Sequence, residues 1–259
     1  MLRVIDLNDS NSMKEFNLCL RETGFAILKN HNICLKRIKN VYNEWMELFK
    51  QFQNDSKLEE KNLRDPLTMD GYYPLRLSEV AKTGKTRDIK EYYQIYLNGK
   101  YPENVSKDAL ILFEELISFG KNLLENIEVN GLKDSVSNEK TMMRILHYPS
   151  GGNANAHEDI NWITLLPMGS TDGLELKIDN NWINVPYNPE YIVINVGDML
   201  QEFTNGLYKS TTHRVLAKGE RMSIPCFIHP HENVYLSDKY PSASIYLNER
   251  LNELKRFDK

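Results

Sequence analysis

TMMRILHYP (141–149) opens a series of short apolar segments from which the architecture of the chain can be predicted. The later segments are HEDINWITLLPM (157–168), DGLELKI (172–178), WINVP (182–186), YIVINVGDML (191–200), LYKSTTHRVLA (207–217) and RMSIPCFIHP (221–230). Turn residues separate them, as in SGGNANA (150–156) and in the pair Asn205 and Gly206, a strong hairpin signal. Short strands at this spacing indicate a double-sheet jelly roll, a barrel that can leave one mouth open for a site.

His157, Asp159 and His213 are the candidate metal ligands of this region. Residues two apart on an extended strand point to the same face, so His157 and Asp159 can share one ion. His213 comes from a later segment that antiparallel strands can return beside them. Two imidazoles and one carboxylate are typical of non-haem Fe(II) oxygenases, although catalytic zinc uses the same set. The sequence has no HExxH motif of the kind common in zinc hydrolases, which favours iron.

Arg221 and Ser223 are also two residues apart and should share a strand face. A guanidinium grips a carboxylate through two charge-assisted hydrogen bonds, and a neighbouring hydroxyl can add a third. The pair therefore predicts an anion site near the metal.

The sequence resembles the isopenicillin N synthase-like family of Fe(II)- and 2-oxoglutarate-dependent oxygenases. The strongest resemblance lies in MMRILHYP (142–149), AHEDINWITLL (156–166), residues 173–215 and RMSIPCFIHP (221–230), and weaker matches lie at 4–8, 22–33, 88–96 and 241–254. The resemblance implies a jelly-roll core and implies that His157, Asp159 and His213 bind Fe(II).

The resemblance also implies a 2-oxoglutarate site. Arg221 and Ser223 would bind the remote carboxylate of 2-oxoglutarate, with Tyr148 beside them. Leu146 stands where the family usually has Asn, so one polar contact to the co-substrate is expected to be missing or replaced.

The implied activity is that of a dioxygenase that uses O2 to oxidise, usually to hydroxylate, a small molecule and releases succinate and carbon dioxide. Two alternatives remain open. One is an Fe(II) oxidase of the same fold that does not use 2-oxoglutarate, and the other is a non-catalytic jelly-roll binding module. Succinate release tests the first alternative, and Fe(II) binding tests the second.

The substrate is expected to bind near the 54–100 region, which includes a loop predicted for residues 54–88. Basic residues here and on the following strands make an anionic or zwitterionic substrate, such as an amino acid, the favoured prediction. The candidate side chains are Arg76, Arg87, Lys90 and Arg144, together with the aromatic pair Tyr72 and Tyr73.

Composition predicts one domain over residues 1–259, which are 41% apolar and 26% charged. Its expected parts are an α+β region (1–140), the catalytic jelly roll (141–231) and a C-terminal tail with a helix (232–259). The fold class is thus mainly β with flanking helices and an N-terminal α/β layer. The net charge of −4 is dispersed, which argues against a nucleic-acid partner.

No apolar run is long enough to predict a membrane span, and the first residues lack a secretory h-region. Cys19, Cys34 and Cys226 are widely spaced and are expected to be buried thiols, which predicts a reducing, cytoplasmic location. The sequence contains no signal from which an oligomeric state could be predicted.

The N-terminal part reads as alternating strands and helices. RVIDL (3–7), FAILKNHNI (25–33) and DIKEYYQIYL (88–97) are predicted strands, and the last should extend the main sheet. Helices are predicted at 11–24, with Ser12 as the N-cap and Gly24 at its end, at 34–52 and at 106–127.

Several polar residues have a structural explanation. Glu158 should point away from the metal, and His147 should be packed and hydrogen-bonded. Asp198 should brace a turn, and His229 and His231 should lie on the surface.

Overall fold

The computed structural model describes residues 2–78 and 87–256, which form two β-sheets flanked by helices. The strands are β1 (Val4–Asp6), β2 (Phe25–Lys29), β3 (Gly71–Tyr73), β4 (Glu91–Ile95), β5 (Met142–Tyr148), β6 (Asn153–His157), β7 (Ile163–Pro167), β8 (Leu174–Ile178), β9 (Asn181–Asn184), β10 (Ile192–Val196), β11 (His213–Leu216), β12 (Arg221–Ser223) and β13 (Cys226–Ile228). The helices are α1 (Ser12–Thr23), α2 (Leu35–Asn54), α3 (Ser56–Asn62), α4 (Asp108–Glu125), α5 (Asp198–Phe203) and α6 (Ala243–Arg256), and a 3₁₀ turn covers Leu75–Leu77.

Within the described residues, the larger sheet has nine strands in the order β1-β2-β10-β7-β13-β5-β4-β3, with β12 paired to β5 as well. The smaller sheet, counted over the same residues, has four strands in the order β6-β11-β8-β9. Apart from the parallel pair β1 and β2, the named strands of the described chain pair antiparallel. The predicted jelly-roll core is confirmed, and the N-terminal strands extend its larger sheet.

Two apolar clusters hold these layers together. One lies between the two sheets and includes Phe25, Leu146, Leu176 and Val193. The other lies between the larger sheet and helices α1, α2 and α4, and it contains the predicted apolar stripe of α2. Helices thus cover the outer face of the larger sheet and leave the space between the sheets for the site.

Some connections differ from the sequence prediction. The predicted loop at 54–88 contains α3 and β3, because Asp55 caps α3 by accepting hydrogen bonds from the Lys57 and Leu58 N–H groups, and because β3 pairs with β4. Residues 79–86 of that loop lie outside the described residues. The predicted turn SGGNANA is also partly wrong, since β6 already begins at Asn153.

The segment YIVINVGDML ends in a helix, because the chain turns into α5 at Asp198. The predicted hairpin at Asn205 and Gly206 is wrong: these residues follow α5, and the Gly206 N–H donates to the Gln201 carbonyl at 2.8 Å. Their positive φ angles of 49° and 81°, which a hairpin turn also requires, here end a helix. Ser12 is the first residue of α1 and not its cap, whereas Gly24 ends α1 in the left-handed conformation as predicted.

Cys19 and Cys226 are buried as expected, but Cys34 is exposed at the start of α2. In the described part of the chain, no helix combines the length and the apolar content needed to cross a membrane.

Candidate active site

His157, Asp159 and His213 converge at one end of the space between the sheets. His157 is the last residue of β6 and lies opposite His213, the first residue of β11. Asp159 follows in the connection to β7, outside the strand that was expected to carry it. Each imidazole Nε2 lies 3.9 Å from Asp159 Oδ1. The possible ligand atoms of the three residues all lie within 4.8 Å of one another.

Hydrogen bonds orient all three side chains. The Nδ1 of His157 lies 2.7 Å from the Asn155 carbonyl and that of His213 lies 3.1 Å from the Thr211 carbonyl, so each Nδ1–H can donate outward. In that tautomer each Nε2 carries no proton, and its lone pair faces Asp159. Asp159 Oδ2 accepts from the Thr164 hydroxyl at 2.6 Å and from the Asn195 amide at 2.8 Å. The other oxygen, Oδ1, faces the two Nε2 atoms.

The protonation states suit a metal site. Burial, together with the neighbouring His157, lowers the pKa of His213 to about 4, so the imidazole is neutral near pH 7. Burial acts to raise the pKa of Asp159, but the two imidazoles and the bonds from Thr164 and Asn195 hold it below its ordinary value. Two imidazole nitrogens and one carboxylate fit a divalent transition metal such as Fe(II).

Short backbone contacts fix the connection that carries Asp159. The Asp198 N–H, at the start of α5, donates to the Asp159 carbonyl at 2.6 Å. The Asp198 carboxylate in turn accepts from Arg250 at 2.8 Å and from the Tyr246 hydroxyl at 3.1 Å, both on α6. Asp198 therefore braces the turn after Val196, as predicted. It also links the connection that carries Asp159 to the C-terminal helix.

Arg221 is a buried cation with an unused donor. Only 1% of the residue is exposed. Its Nε donates to the Thr171 and Asp172 carbonyls at 3.3 and 3.2 Å, while Nη1 has no hydrogen-bond partner among the residues that the structure describes. Among the described residues, no carboxylate forms a salt bridge with it. Because an unpaired buried charge costs several kcal/mol, this guanidinium fits the remote carboxylate of 2-oxoglutarate.

The other predicted co-substrate residues surround Arg221. Ser223 is buried on the same strand, and the Tyr148 ring lies 5.3 Å from the guanidinium carbon. Burial raises the pKa of Tyr148, so its hydroxyl stays protonated. Leu146 pairs with Ser223 across β5 and β12, which places an apolar side chain at the position expected to lack a polar contact.

The basic residues predicted to contact substrate separate in the structure. Arg76 is exposed and pairs with Glu59, and Arg87 donates to the Ser78 carbonyl. Lys90 is buried and pairs with Asp88 at 2.9 Å. All three side chains already have protein partners.

Arg144 lies on β5, and its guanidinium lies between two aromatic rings. Its guanidinium carbon is 4.6 Å from the centre of Tyr92 and 5.5 Å from that of Phe227, and its Nε donates to Gln94 at 2.9 Å. Tyr73 packs on Tyr92 between the sheets, whereas Tyr72 lies in the other apolar cluster beneath α2. Of the predicted substrate residues, Arg144 and Tyr73 both contact Tyr92, which lies between the sheets.

Three further histidines and Glu158 were expected to have structural or surface positions. His147 is buried, bonds to Glu91 at 2.7 Å and stacks on Phe49, as predicted. Glu158 and His231 are exposed as expected. The surface prediction for His229 is wrong: it is 7% exposed and directly follows β13, which lies inside the larger sheet between β7 and β5. Burial lowers the pKa of His229 to about 4.

Sequence reasoning missed the supporting residues Thr164 and Asn195. Both are polar residues inside apolar strand segments, in ITLLP (163–167) and IVINV (192–196), and that interruption was the available signal. It also missed Phe25, whose ring meets the edge of His213 at 5.5 Å between centres. Phe25 gives no signal, since its apolar segment only indicates burial.

Two protein-family models match parts of this chain. The 2OG-Fe(II) oxygenase superfamily model matches residues 140–230, and the model of the N-terminal region of non-haem dioxygenases in morphine synthesis matches residues 2–110. A feruloyl CoA ortho-hydroxylase from Ipomoea batatas is 33% identical over 256 residues, covering 89% of this chain and 71% of the relative.

Solved structures share the fold. A Shewanella oneidensis protein described as an oxygenase superposes with a TM-score of 0.84 and 37% identity, covering 98% of each chain. A full-length Neurospora crassa protein, crystallised in complex with alpha-KG, superposes with a TM-score of 0.79 and 21% identity, covering 97% of this chain and 96% of its own.

Proposed function

The chain belongs to the Fe(II)- and 2-oxoglutarate-dependent oxygenases, which oxidise small molecules. We propose which of its residues bind the iron, the co-substrate and the substrate. His157, Asp159 and His213 hold the iron. The most direct support is that the Nε2 atoms of both imidazoles lie 3.9 Å from the same oxygen of Asp159, Oδ1. The Nδ1 atom of each imidazole faces a backbone carbonyl on the other side of the ring. Bound Fe(II) and 2-oxoglutarate together supply the oxidation of a substrate C–H bond by O2, with succinate and carbon dioxide as by-products.

Arg221, Ser223 and Tyr148 hold 2-oxoglutarate. The unused Nη1 of Arg221 supports this assignment, because a carboxylate there would satisfy a donor that is shielded from water. Ser223 adds a hydroxyl, and Tyr148 covers the guanidinium with its ring. Burial of the anchor keeps the co-substrate oriented and excludes water from it.

The metal assignment is tested by anaerobic titration with Fe(II). Wild-type protein is expected to bind one equivalent, and His213→Gln to bind much more weakly, because one of three ligands is lost. The same loss of affinity is expected for Asp159→Ala. Equal affinity of the wild type and His213→Gln would contradict the assignment.

The co-substrate assignment is tested with Arg221→Met, which keeps the length of the side chain and removes its charge. Removing one partner of a buried charged pair costs at least about 2 kcal/mol, so the Kd for 2-oxoglutarate should rise at least about 30-fold. Arg214→Met is the matched control, because Arg214 pairs with Glu175 on the neighbouring strand of the smaller sheet. Unchanged 2-oxoglutarate binding by Arg221→Met would contradict the assignment.

The substrate carries a carboxylate, as an amino acid or another organic acid does, and Arg144 binds it. The assignment is supported by the position of Arg144, whose guanidinium lies over Tyr92 and Phe227 and donates from Nε to Gln94. A guanidinium is the side-chain group that pairs best with a carboxylate.

A panel of carboxylated and uncharged metabolites tests this substrate class through stimulation of 2-oxoglutarate turnover. Arg144→Gln should raise the KM of a carboxylated substrate and leave 2-oxoglutarate binding unchanged. The exposed Arg76→Gln is the control. If only uncharged compounds stimulate turnover, the substrate assignment is wrong.

A cytoplasmic location is part of the same proposal. It is supported by the three cysteines, all of which are free thiols. Cell fractionation with a tagged chain tests it.

A further inference from the structure

Asp88 is a buried carboxylate that contacts the strand bearing His157. Only 5% of Asp88 and 4% of Lys90 is exposed, and the two side chains pair at 2.9 Å. The residue between them joins the sheets: the Asn153 N–H donates to the Ile89 carbonyl at 3.1 Å, and the Ile89 N–H donates to Asn153 Oδ1 at 2.9 Å. The segment therefore connects the start of β4 in the larger sheet to β6 in the smaller one.

A β-bulge lies in β6 immediately before His157. His157 pairs with His213 and Ala154 pairs with Val215, so Asn155 and Ala156 stand opposite the single residue Arg214. A bulge of this kind turns the following side chain and interrupts the regular hydrogen bonds between strands. The direction of the His157 ring consequently depends on what holds Asn155.

Asp88 holds Asn155 through one carboxylate oxygen. Its Oδ1 accepts from the Asn155 backbone N–H at 2.9 Å and from the Asn155 side-chain amide at 2.7 Å. On the far side of the same residue, the Asn155 carbonyl lies 2.7 Å from His157 Nδ1. We propose that Asp88 is a positioning residue, which fixes the bulge so that the Asn155 carbonyl sets the tautomer and direction of the metal-binding imidazole.

The charge of Asp88 is essential to this role. A carboxylate makes stronger hydrogen bonds to N–H donors than a neutral oxygen does. Lys90 neutralises it, because an unpaired carboxylate at this depth would be costly. The inference rests on the proposed iron site, since it assigns the support of one of its ligands.

The experiment measures Co(II) binding, because Co(II) substitutes for Fe(II), is stable in air and reports its coordination through visible absorption. We expect Asp88→Ala and the isosteric Asp88→Asn to weaken Co(II) binding about 10- to 100-fold, as loss of a partner that orients a ligand commonly does. Their visible Co(II) spectra should also change, which a mere loss of stability would not cause.

Asp70→Asn is the matched control. Asp70 is a carboxylate 4% exposed that accepts from the Lys100 N–H and the Thr68 hydroxyl, and neither bond reaches a proposed ligand. Its variant should lose stability and keep wild-type Co(II) affinity. If Asp88→Ala does not fold, Asp88→Asn alone decides the outcome.

Co(II) affinity of the folded Asp88 variants within about twofold of wild type, or an equal loss in Asp70→Asn, would overturn the positioning role while leaving the iron site standing. Failure of the wild-type protein to bind Co(II) would overturn both, so the two failures are distinguishable.

Discussion

Arg221 depends on a glycine that is distant in the sequence. A Cβ added at Gly169 would lie 2.6 Å from Arg221 Nη2, so the guanidinium reaches its position only because residue 169 has no side chain. Spacing from Ser223 was enough to predict Arg221 as an anion ligand. The same spacing could not link Gly169 to this site, because local spacing does not show which distant residues are in contact.

Burial of His229 should make the free energy of unfolding depend on pH. Its pKa is about 4 in the folded protein because it is buried, against an ordinary value of 6.5. Between these values the unfolded chain binds a proton that the folded chain does not, so the free energy of unfolding falls as the pH falls. In metal-free protein, His229 should contribute up to about 1.4 kcal/mol per pH unit to this slope.

His229→Gln should therefore make the free energy of unfolding less dependent on pH between about pH 6.5 and 4, while His213 retains its own contribution. Urea denaturation of chelator-treated protein at several pH values measures the slope. His231→Gln, at an exposed position, is the control and should behave as wild type. An unchanged slope in His229→Gln would show that His229 is not held neutral by burial.

Among the elements, α2 and α4 followed from apolar residues spaced three and four apart, and α1 followed from its expected N-cap and terminal glycine. Strand β4 followed from its strand propensity and β10 from a short apolar segment bounded by turn residues. The short elements α3, α5 and β3 were missed, because their segments are too brief for periodicity to appear. Their formation depends on neighbours: β3 pairs with β4, and the α5 backbone bonds to the segment that carries Asp159.

The end of α1 offers a test of how elements support the site. Gly24 has a φ of +69°, and a Cβ there would lie 2.1 Å from the Lys209 carbonyl oxygen and 2.5 Å from Thr211 Oγ1. The Thr211 carbonyl is the acceptor for His213. Gly24→Ala should consequently lower the free energy of unfolding and also weaken metal binding, because the displaced segment carries a ligand.

Gly131→Ala is its control, since Gly131 has a φ of +82° with nothing within 4 Å of an added Cβ. The left-handed conformation alone should cost about 1–2 kcal/mol, and Gly24→Ala should cost more than this. Urea denaturation and Co(II) titration of both variants measure the two effects. Equal losses in both variants would mean that the close approach at Gly24 has no energetic consequence.

At the scale of the whole molecule, the two sheets bring ligands from separate strands to one end of the barrel. β6 and β11 of the smaller sheet carry the two imidazoles, while β7 and β10 of the larger sheet supply the groups that hold Asp159. The site therefore exists only when both sheets are assembled, and ligands that bind it should stabilise the whole fold.

Co(II) and 2-oxoglutarate, each at about 100 times its Kd, should each add about 2.7 kcal/mol to the free energy of unfolding. For a chain of this size, each such increment corresponds to a rise in Tm of roughly 5–10 °C. Thermal denaturation followed by circular dichroism measures the shift, and a chelator should reverse it. In Arg221→Met, Co(II) should still raise the Tm, while 2-oxoglutarate at the same concentration should raise it much less than in the wild type. A wild-type Tm that is independent of both ligands would contradict the site.

Strand periodicity and ligand chemistry are local properties, and they were enough to predict the β-rich core, the main helices and the candidates His157, Asp159, His213, Arg221 and Ser223. The hydrogen bond from the bulge before His157 to Asp88, the burial of His229 and the position of Arg144 over two aromatic rings became visible only in the folded molecule. Burial and hydrogen-bond partners depend on which distant segments meet when the two sheets close on each other, and no local pattern contains that information.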